Sequence, residues 1–191
     1  MVKLIETKTS YLSTYPFPVE ILVVQCLKEI DGKLLVNPHI TVFGKPAIQH
    51  RSIGFFSNIS IGYKYSGQLA KSILLTPSLD ILLKRVNDFM KADFNGILVN
   101  KYGDGTDYIG DHSDDESNLD LIGVVSISYG AVRKFRIRDK VTKKIVMDIP
   151  TTSDQILHMG GDFQKEFTHG IPIEKKVKDI RYSFTFRKHN K

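Results

Sequence analysis

The spacing of apolar residues changes character near Phe94. Ahead of it, two stretches carry helical spacing. Pro16-Phe17-Pro18 opens the first, in which Ile21, Val24, Leu27 and Ile30 recur and Gly32 is placed to stop the helix. Thr76-Pro77 gives the second an N-cap and a first-turn proline, and Leu79, Leu82, Leu83, Val86, Phe89 and Met90 form its apolar stripe. From Phe94 onward the period is two, which predicts strands over 97–102, 121–129, 134–138, 145–149, 155–159 and 180–187. Residues 33–75 read as β-rich and turn-rich, punctuated by Gly44, Gly54, Gly62 and Gly67. Short strands between Gly, Asp and Lys turns predict an α+β, β-rich fold built on a closed or double-sheet antiparallel arrangement, a jelly roll above all.

Composition narrows the class without naming a chemistry. The 191 residues suit one domain with a sizeable core, and 41% hydrophobic content with interspersed charge excludes a disordered chain. A formal charge of +6 suits a polyanionic partner, or simply solubility. Cys26 is the single cysteine, so no intrachain disulfide and no Cys-cluster metal site can form. The longest apolar run, 21–27, is far short of the roughly 20 residues that span a bilayer, and the N-terminus lacks the order of a secretory signal. An intracellular protein, nuclear or cytoplasmic, is expected, with no membrane association.

Chemistry concentrates in two places. His112-Ser113-Asp114 and the distant His169 offer two imidazoles and one carboxylate, the set that leaves open positions on a non-haem Fe(II) centre. In 181–187 the odd positions are polar and the even ones aromatic, so a strand puts Arg181, Ser183, Thr185 and Arg187 on one face. Buried arginines are costly unless they meet anions, and a dicarboxylate co-substrate would supply them. Asn100 and Tyr102 share a face of their own strand, and the turn-rich loop after them delivers His112 and Asp114.

Asn100-Lys101-Tyr102, the segment 105–116 with its His112-Ser113-Asp114-Asp115-Glu116 core, Ser126-Ile127-Ser128-Tyr129-Gly130, His169-Gly170-Ile171-Pro172 and the 181–187 strand together give the chain a specific likeness. It resembles the AlkB-family Fe(II)- and 2-oxoglutarate-dependent dioxygenases over roughly residues 42–188, nearest the eukaryotic branch that repairs alkylated double-stranded DNA. The resemblance implies one domain over 1–191: a double-stranded β-helix core at about 94–191, N-terminal helices, and a nucleotide-recognition lid at about 33–75. It implies Fe(II) on His112, Asp114 and His169, with O2 as co-substrate. It also implies 2-oxoglutarate held by Asn100, Tyr102 and Arg181, with Thr185 and Arg187 lining the same pocket. Ser183 stands where the family usually has Asn, so one co-substrate contact is lost or replaced by water.

On the substrate side the resemblance implies that Tyr63 and Tyr65 hold a flipped base, with Asp115 and Glu116 at its polar edge. Aromatic faces and carboxylates would favour cationic 1-methyladenine and 3-methylcytosine over neutral bases. Val42-Phe43 would fill the gap left by the extruded base, the competing reading being a hairpin whose Val and Phe face the core. Arg51 falls near this site or on the surface. Lys175 and Lys176 would touch the opposite DNA strand, although Glu174 interrupts the basic run. The implied reaction hydroxylates an N-alkyl group and releases formaldehyde, in a monomer acting on DNA. An RNA or single-strand demethylase is the alternative within the same chemistry, and a catalytically silent nucleic-acid-binding module the alternative from another class.

Overall fold

Fifteen strands and three helices follow one another over the residues that the computed structural model describes, 1–42, 44–65, 68–114 and 122–188. In chain order they are β1 (Val2–Glu6), β2 (Ser10–Pro16), α1 (Glu20–Glu29), β3 (His39–Val42), β4 (Lys45–Ile48), β5 (Ser52–Phe56), β6 (Gly62–Tyr65), β7 (Gln68–Ile73) and α2 (Pro77–Met90). β8 (Gly96–Tyr102), β9 (Ile109–His112), β10 (Val124–Gly130), β11 (Lys134–Asp139), β12 (Ile145–Pro150), β13 (Gln155–Gly161), α3 (Phe163–Glu166), β14 (Phe167–Ile171) and β15 (Arg181–Arg187) complete them.

The strands form a nine-stranded sheet, β1-β2-β13-β10-β15-β8-β5-β7-β6, a four-stranded sheet, β12-β11-β14-β9, and the β3-β4 hairpin. Pairing is antiparallel except between β5 and β7. The α+β, β-rich reading therefore holds.

Period-two alternation divides the large sheet between two cores. Ile97 and Val99 of β8, Val125 and Ile127 of β10, and Phe184 and Phe186 of β15 pack against Leu22, Val23 and Cys26 of α1 and Leu79, Leu82 and Val86 of α2. The opposite face contributes Leu12, Tyr102, Val124, Leu157 and Met159 to a second core with Phe135, Ile137, Ile149, Phe167 and Ile171 around the small sheet. The molecule is thus helices, large sheet, small sheet. Among the described residues no helix is long and apolar enough to cross a membrane.

Three expectations need correction. The apolar face of α1 is Val19, Leu22, Val23, Cys26 and Ile30, whereas Ile21 is 81% exposed. A set spaced by three at every step drifts about 60° per step around a helix of 3.6 residues per turn, so Ile21, Val24, Leu27 and Ile30 never shared one face. The loop expected up to Ser113 contains β9, which brings His112 into register with His169. The N-terminal residues, to which the apolar spacing assigned no element, build β1 and β2, and β2 pairs along the whole of β13.

Candidate metal and co-substrate site

Each sheet supplies one half of the site. His112 ends β9 and His169 sits in β14 directly opposite it. Asp114 follows two residues later, its backbone N–H donating to Gln164 Oε1 at 2.9 Å, while Ser113 Oγ donates to the Phe167 carbonyl at 3.0 Å. The His112 Nε2 atom lies 3.9 Å from Asp114 Oδ1, His169 Nε2 lies 3.6 Å from Asp114 Oδ2, and the three ligand atoms fall within 4.8 Å of one another. His112 Nδ1 donates to the Gly110 carbonyl at 2.9 Å, which leaves the Nε2 lone pair facing the carboxylate. The His169 ring stacks on Phe135 at 5.2 Å.

Electrostatics keep this trio in its ligand form. Burial alone would raise the Asp114 carboxyl, but Arg187, 3.2 Å away, and the two imidazoles outweigh it, and its pKa falls to about 2. Burial drives His169 down to about 3, helped by His112, and burial likewise lowers His112. At neutral pH the site is one carboxylate and two neutral imidazoles. Two nitrogens and one oxygen on one side of a common centre fit a divalent iron with open positions.

The large sheet supplies the other half. Arg181, 2% exposed, donates from Nη2 to Ser128 Oγ at 2.9 Å and from Nε to Thr151 Oγ1 at 3.2 Å, and stacks over Tyr102 at 5.1 Å. Its Nη1 is buried with no hydrogen-bond partner among the described residues. A buried guanidinium with a donor to spare is the chemistry that receives a carboxylate. Asn100, opposite Ser183 in register, donates to Ser183 Oγ at 3.3 Å and accepts from Arg51 Nε at 2.8 Å.

A cleft joins the halves: His112, Asp114, His169, Asn100, Tyr102, Arg181, Ser183, Thr185, Arg187, Arg51 and Tyr63 all line it. Arg51 is 3% exposed, so it is not a surface residue. Tyr63 is 4% exposed, with Phe55 at 6.0 Å and the Arg187 guanidinium 4.7 Å over its ring, so it is a packed wall rather than an open platform. Phe43, Asp115 and Glu116 lie outside the described residues, as do the side chains of Val42 and Tyr65. Lys175 and Lys176 are exposed on the turn after Glu174, away from the cleft lining. The Glu174 carboxylate points inward, accepting from Arg133 Nε at 3.3 Å and from the Lys134 N–H at 2.8 Å.

Sequence reasoning missed Gln164, which fixes the Asp114 backbone, Thr151, which steadies Arg181, and Arg133. None sits in a motif. Arg133, next to Lys134, reads in sequence as an ordinary charged turn.

These features belong together in one class of protein. The chain matches the model of the 2OG-Fe(II) oxygenase superfamily over residues 24–187, and it belongs to that superfamily. More particularly, it is 31% identical over 169 residues to the DNA oxidative demethylase ALKBH2 of Homo sapiens, covering 84% of this chain and 65% of that protein. It is 33% identical over 120 residues to the alpha-ketoglutarate-dependent dioxygenase alkB homolog 3 of Mus musculus, covering 58% and 42% respectively. The chain spans 61% to 66% of the mammalian ALKBH2 proteins that it matches. The solved structure of OsALKBH1 shares the fold, with a TM-score of 0.56 at 17% identity over 98% of this chain and 100% of that one.

Proposed function

We propose that this protein is an Fe(II)- and 2-oxoglutarate-dependent oxidative demethylase of N-alkylated bases such as 1-methyladenine and 3-methylcytosine, acting as a monomer on double-stranded DNA. In this reading the two sheets form a double-stranded β-helix and residues 33–75 a lid over the nucleotide. The observation that carries it is the single cleft joining the two-His, one-carboxylate set to the buried Arg181 and Arg187. Similarity to DNA oxidative demethylases supplies the substrate class.

His112, Asp114 and His169 would hold the metal, and Arg187 keeps Asp114 ionised and aimed. The spare Arg181 N–H would take the distal carboxylate of 2-oxoglutarate, with Ser128 and Thr151 fixing the guanidinium plane. Asn100 and Tyr102 would line its chain, and Ser183 meets Asn100 at the position where one co-substrate contact was expected to be missing. When bound, iron and 2-oxoglutarate supply the oxidation: O2 puts one oxygen into succinate, with loss of CO2, and one into the N-alkyl C–H bond, after which formaldehyde departs. The protein contributes position and charge.

The duplex reading is supported by the turn after β14. With the Glu174 charge engaged by Arg133, that turn offers Lys175, Lys176 and Lys178 to solvent beside a single exposed carboxylate, Asp179. The test is formaldehyde and succinate release from matched single- and double-stranded oligonucleotides carrying 1-methyladenine or 3-methylcytosine. Wild-type protein should turn over, His112→Ala should not, and a Lys175→Ala/Lys176→Ala pair should lose more activity on duplex than on single strands. No turnover on any oligonucleotide sinks the demethylase reading, and equal losses move the substrate to single strands.

A further inference from the structure

We propose that Arg133 is a positioning residue for the reaction: it buckles together the chain crossings that hold the metal half of the site against the co-substrate half. The inference rests on the co-substrate assignment above. The metal half (His112, His169) belongs to the small sheet and the co-substrate half (Asn100, Tyr102, Arg181, Ser183) to the large one. The chain passes between the sheets six times, and four of those passages, from β8 to β9, from β10 to β11, from β12 to β13 and from β14 to β15, meet at Arg133.

Arg133 lies in the β10–β11 crossing and is 1% exposed. Its Nη1 donates to the Asp104 carbonyl at 2.8 Å and its Nη2 to the Asp107 carbonyl at 2.9 Å, both in the loop that leads into His112. Nη2 also donates to the Pro172 carbonyl at 2.8 Å, and Nε to the Glu174 carboxylate at 3.3 Å, in the loop that leads from His169 towards Arg181. The Arg133 backbone N–H donates to Thr151 Oγ1 at 3.0 Å and its carbonyl accepts from the Thr151 N–H, which ties in the β12–β13 crossing. The same Thr151 hydroxyl accepts from Arg181 Nε, and the Tyr102 ring carries the Arg133 guanidinium at 5.9 Å and that of Arg181 at 5.1 Å.

The two loops under this guanidinium are themselves zipped. Gly105 N–H donates to the Val177 carbonyl and Glu174 N–H to the Gly105 carbonyl, so close that a Cβ at Gly105 would stand 1.9 Å from the Glu174 oxygen. A planar fork with five donors can serve several acceptors spread over separate loops; an ammonium with three donors at one point cannot. Arg133 touches no ligand, so its effect runs through spacing: it sets how far the two histidines stand from Arg181.

The experiment is an anaerobic titration of the Fe(II)-loaded protein with 2-oxoglutarate, followed by the visible absorption that develops on chelation, alongside thermal melts. Arg133→Lys should melt as a folded protein yet need about 10- to 100-fold more 2-oxoglutarate to half-develop the absorption. Glu174→Gln, which leaves the three carbonyl bonds, should shift the titration less, and it is the deciding variant should Arg133→Lys fail to fold. A wild-type titration in whichever of the two is folded and deciding overturns the proposal. Absence of the absorption in wild-type protein overturns it together with the co-substrate assignment, whereas an intact titration without formaldehyde release counts against the demethylase reading alone.

Discussion

His158 shows how burial by itself writes a pH dependence. It is 4% exposed, its Nε2 donates to the Ile122 carbonyl at 2.6 Å and Tyr11 meets its ring edge-on, so desolvation pulls its pKa below 6.5. His112 and His169 are lowered for the same primary reason. Below pH ~6.5 the unfolded chain takes up protons that the folded chain refuses, so stability falls as pH falls, by up to about 1.4 kcal/mol per pH unit for each such imidazole. Asp114 acts in the same direction in a lower window: its contribution is fully present above ~3.9 and is lost only as pH drops towards 2. Chelator-treated protein should therefore show a lower urea midpoint near pH 5 than near pH 7, and His158→Gln should flatten that slope; equal midpoints at the two pH values would refute this. At this scale the ligands were legible because His-x-Asp and the alternating strand are local patterns. Arg133, Gln164 and Thr151 were not, because their partners lie tens of residues away.

Helix α2 carries its own start signal and then borrows another. Thr76 accepts a long bond from Leu79 N–H at 3.4 Å, while Glu29, arriving from the end of α1, accepts from Ser78 N–H at 2.9 Å and Ser78 Oγ at 2.6 Å. Those bonds lower the Glu29 pKa, the Ser78 hydroxyl contributing most. Glu29→Ala should cost about 1 kcal/mol at neutral pH, the usual size of a lost N-cap. Because the folded-state pKa is depressed, this contribution exists above the unfolded value near 4.3 and fades below it. A double denaturation series, wild type and variant at neutral and acidic pH, checks both halves; a pH-independent difference would contradict the capping role. The span of α2 could be read from sequence since Thr-Pro and the leucine stripe are contiguous. The phase of α1 could not, since only packing against β15 and α2 tells which of its many apolar residues faces inward.

At the scale of the whole molecule, the N-terminal hairpin closes one edge of the large sheet. β2 looks polar in sequence, yet Ser10, Ser13, Thr14 and Leu12 are buried against β13, their small hydroxyls fitting where a strand is covered on both faces. Removing residues 1–9 deletes β1, of which only Leu4 and Ile5 pack against the second core, and should leave a soluble, slightly destabilised protein. Removing residues 1–17 strips β13 of one of its two partners, leaving it paired with β10 alone, uncovers the second core and should abolish soluble folding. Matching melting temperatures for the two truncations would show that the edge needs no cover. The inward turn of Glu174 has an effect beyond the fold. A polyanion at that turn would meet three lysines with Glu174 drawn off to Arg133 and only Asp179 beside them, and each phosphate so neutralised sheds condensed counterions worth about 0.9 in the slope of log K against log salt on duplex DNA. One side chain, turned towards Arg133, thereby steepens how strongly ionic strength governs the outer surface.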